Sequence, residues 1–320
     1  MAINTPKTTP FPVDPVMTGI TIAYRNQSLI GDMILPRVQV GTKEFKWQKY
    51  AQEERYTVPE TLVGRRGRPK QVEFGATEES SMVYDYGLDD PIPNDDITQA
   101  AAGGQGYSPV NHAVEAMTDL ILLDREIRVA DMIFSPDSYA SGFKETLSGT
   151  DQWSDFDNSD PMQQILDALD APIMRPNIFT VGQAVWTTLR QHPKVVAAVN
   201  AMGGNAAVGG VVTRQQLAAI LEIEEVLVGQ GWVNTAKKGQ NPTISRVWGN
   251  HASLIYRNRL ANTQRGITFG FTAQYQSRIA GQMPDMNIGL RGGVNVRVGE
   301  SVRELIVAPD CGYFFENAIA

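Results

Sequence analysis

The sequence holds one cysteine, Cys311, in 320 residues, and only three histidines, His112, His192 and His251. A single thiol excludes a disulfide framework and any thiolate zinc cluster within one chain. No HExxH or comparable metal spacing surrounds the histidines, and scattered neutral histidines are usually structural. Long apolar runs are missing too: Leu120 to Leu123 sits in a charged segment, far short of the ~20 residues that a membrane span requires. The leading MAINTPKTTPFPVDP has neither the basic start nor the apolar stretch of a secretion signal, so a cytoplasm-like compartment is expected at first. Basic residues are in deficit, 28 against 35 acidic for a net charge of −7, which disfavours free-standing nucleic-acid binding. What is present, 42% hydrophobic and 20% charged residues, is enough to bury a core in two or three subdomains or one elaborate fold.

Catalytic templates fail one after another. Asp155-x-Asp157-x-Ser159 begins like a calcium loop, but Asp160 stands at the sixth position and Leu166 at the twelfth, where glycine and glutamate belong. Gly204 to Gly209 has half the spacing of a phosphate loop, yet Gly210 and Val211 occupy the lysine and serine or threonine positions. Gly103-Gly104-Gln-Gly106 has no strand before it and reads as a linker. There is no G-x-S-x-G elbow, and Cys311 has no histidine near it in sequence. The pairs Asp89-Asp90 and Asp95-Asp96 are expected to cap turns around Pro91 and Pro93 rather than to hold an ion. No enzyme, cofactor or metal is expected.

Charge is strongly segregated along the chain. Residues 37–70 carry nine basic side chains against four glutamates, and Glu73 to Asp96 carries eight acidic and no basic ones. Glu115 to Asp170 is again acidic, whereas Lys237 to Arg303 has ten basic residues opposed only by Asp285 and Glu300. Such stripes are either solvated faces balanced within one subunit, or complementary patches that set register between copies of the chain. The cluster Arg65, Arg66, Arg68, Lys70 lacks interleaved aromatics and precedes an acidic run. Contact with an acidic patch on a neighbouring copy is favoured over nucleic-acid phosphates.

Local patterns divide the chain. Prolines 6, 10, 12, 15 and 36 among short apolar clusters suggest that residues 1–40 form an extended arm that docks on another surface. Phe45-Lys-Trp47 and Val72-Glu-Phe74 alternate with period two, predicting a long hairpin over 43–76 that needs support from a neighbouring subunit. Its aromatics, Trp47, Tyr50, Tyr56 and Phe74, are read either as anchors on an adjacent subunit or as cross-strand pairs within the hairpin. Ser108-Pro109 starts a helix running to about 135, with the stripe Ala113, Met117, Leu120, Leu123, Ile127, Ala130, Phe134 and with Glu115, Asp119 and Glu126 on another face. Residues 160–260 read as a compact α/β unit: helices over 161–169, 182–200 and 213–221, and strands over 177–181, 224–228 and 253–257. Alternation at Ile267–Tyr275 and Val294–Val298 predicts long half-buried strands, and Glu304–Ala308 one further strand.

This order of arm, long hairpin, single long helix, α/β unit, long strands and return strand resembles the Hong Kong 97-type major capsid protein of tailed phages, across essentially the whole chain. The strings SPVNHAVEAMTDLILLDREIRVADMIF, LAAILEIEEVLVGQGWVN and VRVGESVRELIVAPDCGYFFENAIA are similar to that family. The resemblance implies an α+β fold with an N-terminal arm at 1–40 and an extended loop at 41–82. A peripheral domain follows from 83–159 and 262–300, with its spine helix at 108–136, and an axial domain from 160–261 and 301–320. It implies a subunit of an icosahedral head that assembles with itself into hexamers and pentamers around double-stranded DNA held by non-specific contact. Separate scaffolding, portal and cement proteins are the implied partners, with assembly in the host cytoplasm. Trp47, Glu53, Glu54, Arg65, Arg66, Arg68 and Lys70 are the candidate subunit-interface residues. The lysines of the loop have no identifiable asparagine partner, so the covalent cross-linking of some members is not carried over. A nanocompartment shell of the same fold, and a soluble α/β enzyme, are the alternatives.

Overall fold

The computed structural model describes residues 11–23, 28–50, 56–72, 76–103, 106–202, 210–237, 239–263 and 265–320. Four segments lead into the first sheet: helices α1 (Pro15–Ala23) and α2 (Gly31–Ile34), then strands β1 (Arg37–Val40) and β2 (Glu44–Tyr50). After a long loop come β3 (Ala76–Met82), β4 (Tyr84–Pro93), α3 (Asn94–Ala102) and the long helix α4 (Pro109–Ile133). The compact unit follows: β5 (Lys144–Thr146), α5 (Pro161–Asp170), β6 (Ile178–Gly182), α6 (Gln183–Leu189), α7 (Pro193–Met202), α8 (Arg214–Leu221) and β7 (Glu225–Gly229). A small hairpin, β8 (Trp232–Asn234) and β9 (Ile244–Arg246), precedes β10 (Ala252–Ile255), and the chain closes with β11 (Gly270–Asp285), β12 (Gly293–Ile306) and β13 (Gly312–Glu316). Among the described residues no helix is long and apolar enough to cross a membrane.

Two sheets organise these elements. The first has the order β1-β11-β12-β4, with β1 parallel to β11 and the other neighbours antiparallel. Its long pair runs in register from Gly270↔Ile306 to Asp285↔Gly293, broken by a bulge between Tyr275 and Ile279 where Gln276 takes φ 58°. β12 therefore continues through the predicted break near residue 300, and the expected strand at 304–308 is its end; the last strand is β13. The second sheet, β5-β13-β10-β6-β7, carries the core of the compact unit, built from residues such as Trp153, Phe179, Leu217 and Phe315.

Ser108 caps α4 as its position predicts, its hydroxyl accepting from the Asn111 amide at 3.3 Å with Pro109 in the first turn. The buried stripe is rotated from the expected one. Val114, Met117, Ile121, Leu122, Val129 and Ile133 are buried, Leu120 is 56% exposed, and Glu126, expected on a face away from the apolar stripe, is 2% exposed. The helix predicted over 182–200 is split into α6 and α7 by Pro193, which has no amide to continue the ladder. His192 at that junction is fully buried and exchanges a hydrogen bond with the Ser159 hydroxyl at 3.1 Å, a structural role. The capping box at Thr213 and Gln216 forms as read.

The leading segment differs most from expectation. Residues 11–40 pack on their own subunit instead of extending as a docking arm. No proline falls between Pro15 and Pro36, and Pro15 occupies the first helical position, where a proline is tolerated, so α1 can form. The Asp14 carboxylate accepts from the Val16 and Met17 amides. Met17, Thr21, Ile30, Ile34 and Leu35 are buried on β11 and α4, and Val13 bridges Gly281. A Cβ at Gly281 would lie 2.2 Å from the Pro12 carbonyl oxygen, so the segment's path requires glycine there. Gly281→Ala is expected to lift residues 11–14, cost about 1–3 kcal/mol and speed proteolytic clipping ahead of α1; an unchanged digestion pattern would contradict the contact.

Candidate assembly surfaces

The hairpin forms, but its return arm lies later than predicted. β2 pairs with β3 from Glu44↔Met82 to Tyr50↔Ala76, so each arm has seven residues and Val72 is not in a strand. Pro59 and Pro69 lack the amides that a ladder needs, whereas the acidic stretch 76–82 offers partners to the lysines of β2. Lys46 pairs with Glu78, Lys49 with Glu79 at 3.4 Å, and Lys43 with Asp85 at 2.5 Å. This part of the charge striping is thus neutralised inside one subunit.

The inner face of the hairpin carries Phe45 and Trp47, buried with Val40, Val83, Phe271, Ala273 and Leu305. Trp47, expected to be available as an interface residue, is 6% exposed and belongs to its own subunit's core. Alternation along β2 sends its ring to the same side as Phe45, and that side faces the first sheet. Between the arms, residues 56–72 are exposed throughout, including Val58 at 84% and Leu62 at 85%. A turn at Gly64–Gly67, closed by a 2.8 Å amide-to-carbonyl bond, presents Arg65 and Arg66 to solvent beside Arg68. Among the described residues no ion pair involves these three arginines. Lys70 is different: it pairs with Glu60 of the same loop at 2.9 Å. Glu53 and Glu54, with Phe74, lie outside the described residues.

A buried ionic network ties the long helix to the first sheet. Arg125 of α4 pairs with Asp32 and donates to the Leu35 carbonyl at 3.2 Å and the Thr272 hydroxyl at 2.8 Å, with Glu304 at 3.5 Å. Glu300, its side chain fully buried, receives Arg37 and Arg278, each at 2.8 Å. The network therefore joins the leading segment, the long helix and both long strands. Glu126 accepts from the Ile30 and Gly31 amides at 3.0 and 2.6 Å and from the Trp248 indole at 2.7 Å, tying α2 and the 248 loop to α4. Sequence reading missed this network because charged residues in a helix normally face water. The signal was the spacing Leu122, Glu126, Val129, Ile133, which keeps Glu126 on the apolar face.

Burial raises the proton affinity of the Glu300 and Asp32 carboxyls, but the guanidiniums beside them outweigh it and hold both below the usual carboxylate range. Burial pushes Glu126 the other way, above that range. A depressed carboxylate contributes stability above its unfolded value, near 4, and loses it as pH falls. A raised one works in the opposite sense. Asp32 and Glu300 together predict that the subunit loses thermal stability in acid below about pH 4, and that Glu300→Gln flattens that limb. An acid limb equally steep in the variant would contradict the network's role.

The remaining carboxylates have structural duties. Asp89 lies in the edge strand β4, where it accepts two 2.6 Å bonds from Arg297, and so does not cap a turn as predicted. Pro91 and Pro93 are tolerated because β4 is an edge strand. Asp95 and Asp96 do sit in the first turn of α3. Asp155 accepts from the Asp157 and Asn158 amides, a turn leading to the Asp160 cap of α5. Among the described residues no group of histidine, cysteine or acidic side chains could hold a metal ion, and Cys311 is buried.

No family model matches the chain. The chain is 54% identical over 311 residues to the major capsid protein of Pseudomonas phage JBD67, a span of 97% of this chain and 98% of that one. The crystal structure of a phage-related protein from Bordetella bronchiseptica RB50 superposes with a TM-score of 0.75 at 21% identity, covering 97% of this chain and 99% of that one. The capsid structure of cyanophage P-SCSP1u matches with a TM-score of 0.57 at 12% identity over 92% of this chain and 89% of that one. At these identities the two likenesses show the fold alone. The identity to the phage protein, sustained from end to end, decides between a phage head and the alternatives: the chain belongs to the major capsid proteins of tailed phages, built on the Hong Kong 97-type fold, whose copies self-assemble into the shell of the virion.

Proposed function

We propose that the chain works as one tile of an icosahedral shell of hexamers and pentamers enclosing double-stranded DNA, and that residues 56–72 are the part each copy lays on its neighbour. The observation that carries this is the exposure of the whole loop, apolar and basic together, on an otherwise well-packed subunit. Among the described residues Val58 and Leu62 are left uncovered by their own chain, and a neighbouring copy would supply the surface that buries them. Arg65, Arg66 and Arg68 supply orientation towards an acidic patch there. In this reading residues 83–159 and 262–300 form the peripheral domain, 160–261 and 301–320 the axial domain, and 41–82 the extended loop. Within the arm at 1–40, residues 11–40 serve their own subunit.

Many modest contacts made at once become effectively irreversible in a closed shell. The net charge of −7 suits a wall that touches DNA without gripping it. Portal, scaffolding and cement proteins are separate chains in this scheme, assembly takes place in the host cytoplasm, and no catalytic step is assigned to the subunit. Electron microscopy of the purified chain tests it: closed particles are expected, and a protein that stays monomeric across concentration and salt would overturn the reading. Native particles should protect DNA from nuclease; protein cargo in its place would indicate a compartment instead of a phage head.

A further inference from the structure

Resting on that reading, we propose a second contact between copies: the β8–β9 hairpin, through Trp232, Ile244 and Arg246, seats on the acidic α5 end of the next subunit's five-stranded sheet. These two features lie at opposite ends of the compact unit. Across its helical layer α5 packs on α7, α7 on α8, and α8 on the edge strand β7. The segment leading to α5 is tied to the other end of the sheet, where the Trp153 amide donates to the Ala318 carbonyl at 2.8 Å and the Gln152 side chain to that of Asn317 at 3.1 Å. The hairpin starts just after β7, with the Val247 amide bonded to the Gly231 carbonyl at 3.0 Å.

The ends are opposite in charge. Residues 145–170 include seven acidic side chains and no basic one, while residues 226–284 include seven basic and no acidic one. Some of these are used internally: Arg278 by Glu300 in the first sheet, Arg257 and Arg259 by Glu224, Asp160 by Lys194, and Asp170 by Arg175. Among the described residues no ion pair involves Arg246 or Lys237 at one end, or Asp157 or Asp167 at the other, and all four are exposed.

The hairpin is also built like an anchor. Its strands are three residues long, too short to be stable for their own sake. Alternation places Trp232, Asn234, Ile244 and Arg246 on one face, Trp232 at 51% and Ile244 at 57% exposure. The Arg246 guanidinium lies over the Trp232 ring, 4.2 Å from its centroid, a contact that restrains the side chain while it makes no ion pair among the described residues. Tryptophan and arginine together make the composition of an interface hot spot. The acidic end offers apolar surface to match, with Phe156 at 41% and Leu166 at 36% exposure. A two-fold contact made through one end alone would set like charge against like, so with the two patches at opposite ends the complementary arrangement is head to tail, the kind that closes into a ring.

The test uses three full-length variants beside the wild type: Arg246→Glu with Lys237→Glu, Asp157→Lys with Asp167→Lys, and all four together. Far-UV circular dichroism and thermal melts check folding, and sedimentation velocity and microscopy read assembly. Each half variant is expected to fold normally and to need about tenfold more protein to assemble, roughly 1.4 kcal/mol per contact. The fourfold variant is expected to recover most of that loss, because every contact again joins opposite charges. Half variants that assemble like the wild type, or a fourfold variant no better than its halves, would overturn the contact. Absence of shells from the wild type would instead count against the shell reading. Loss of its smaller oligomers in the half variants would still decide the contact.

Discussion

Arg125→Ala is expected to lower the subunit's unfolding free energy by about 3–5 kcal/mol, measured by urea denaturation of the unassembled chain. The arginine is 2% exposed and stands between Asp32 and Glu304, whose side chain is 4% exposed. Its removal leaves Glu304 with Arg128 alone, takes a charge partner from Asp32, and strips donors from the Leu35 carbonyl and the Thr272 hydroxyl. Lys46→Ala is the control. Its pair with Glu78 lies in solvent on the hairpin, so its loss should leave the urea midpoint essentially where it was. If the two variants were equally mild, α4 would be held to the first sheet by apolar packing alone, and the network would be incidental.

Replacing Arg65, Arg66 and Arg68 together by glutamate should have the opposite profile. The three side chains are exposed at a loop tip and take part in no ion pair among the described residues, so the unfolding midpoint should not move. Reversing six units of charge, three positive to three negative, on a surface that must meet an acidic patch should abolish shells, because like charges juxtaposed across an interface cost several kcal/mol. Normal particles from this variant would refute the loop contact directly. A deletion reaching residue 30, by contrast, removes Met17, Thr21 and Ile30 from their own subunit's core and would damage the fold before it tested assembly.

Features governed by neighbouring residues were legible in advance. The Ser108 cap, the Thr213 capping box and the start of α5 at Pro161 depend on spacings within a few positions, and each appears where those spacings put it. The alternation read over 267–275 does not: β11 begins at Gly270 and is buried on both faces through Gln274, because α4 and the leading segment cover one side and the hairpin the other. Reading failed where a distant segment made the choice. The return arm of the hairpin went to 76–82 because those glutamates face the lysines of β2, while Trp47 turned into its own core because a long sheet was there to receive it. Arg65, Arg66 and Arg68 stayed outside because nothing in their own chain competes for them among the described residues.

Local chemistry by itself thus determined where the capped helices begin and that charge is laid down in blocks. Tertiary structure alone decided which blocks cancel within a subunit and which remain for a neighbour. The reason is the range of the forces: caps and alternation act over three or four residues, whereas the pairing of Lys46 with Glu78, Arg297 with Asp89 or Arg125 with Glu304 requires the backbone to bring together positions far apart in sequence. What that pairing leaves unpaired, at the loop 56–72 and at the two ends of the five-stranded sheet, is the surface on which copies of the subunit can meet.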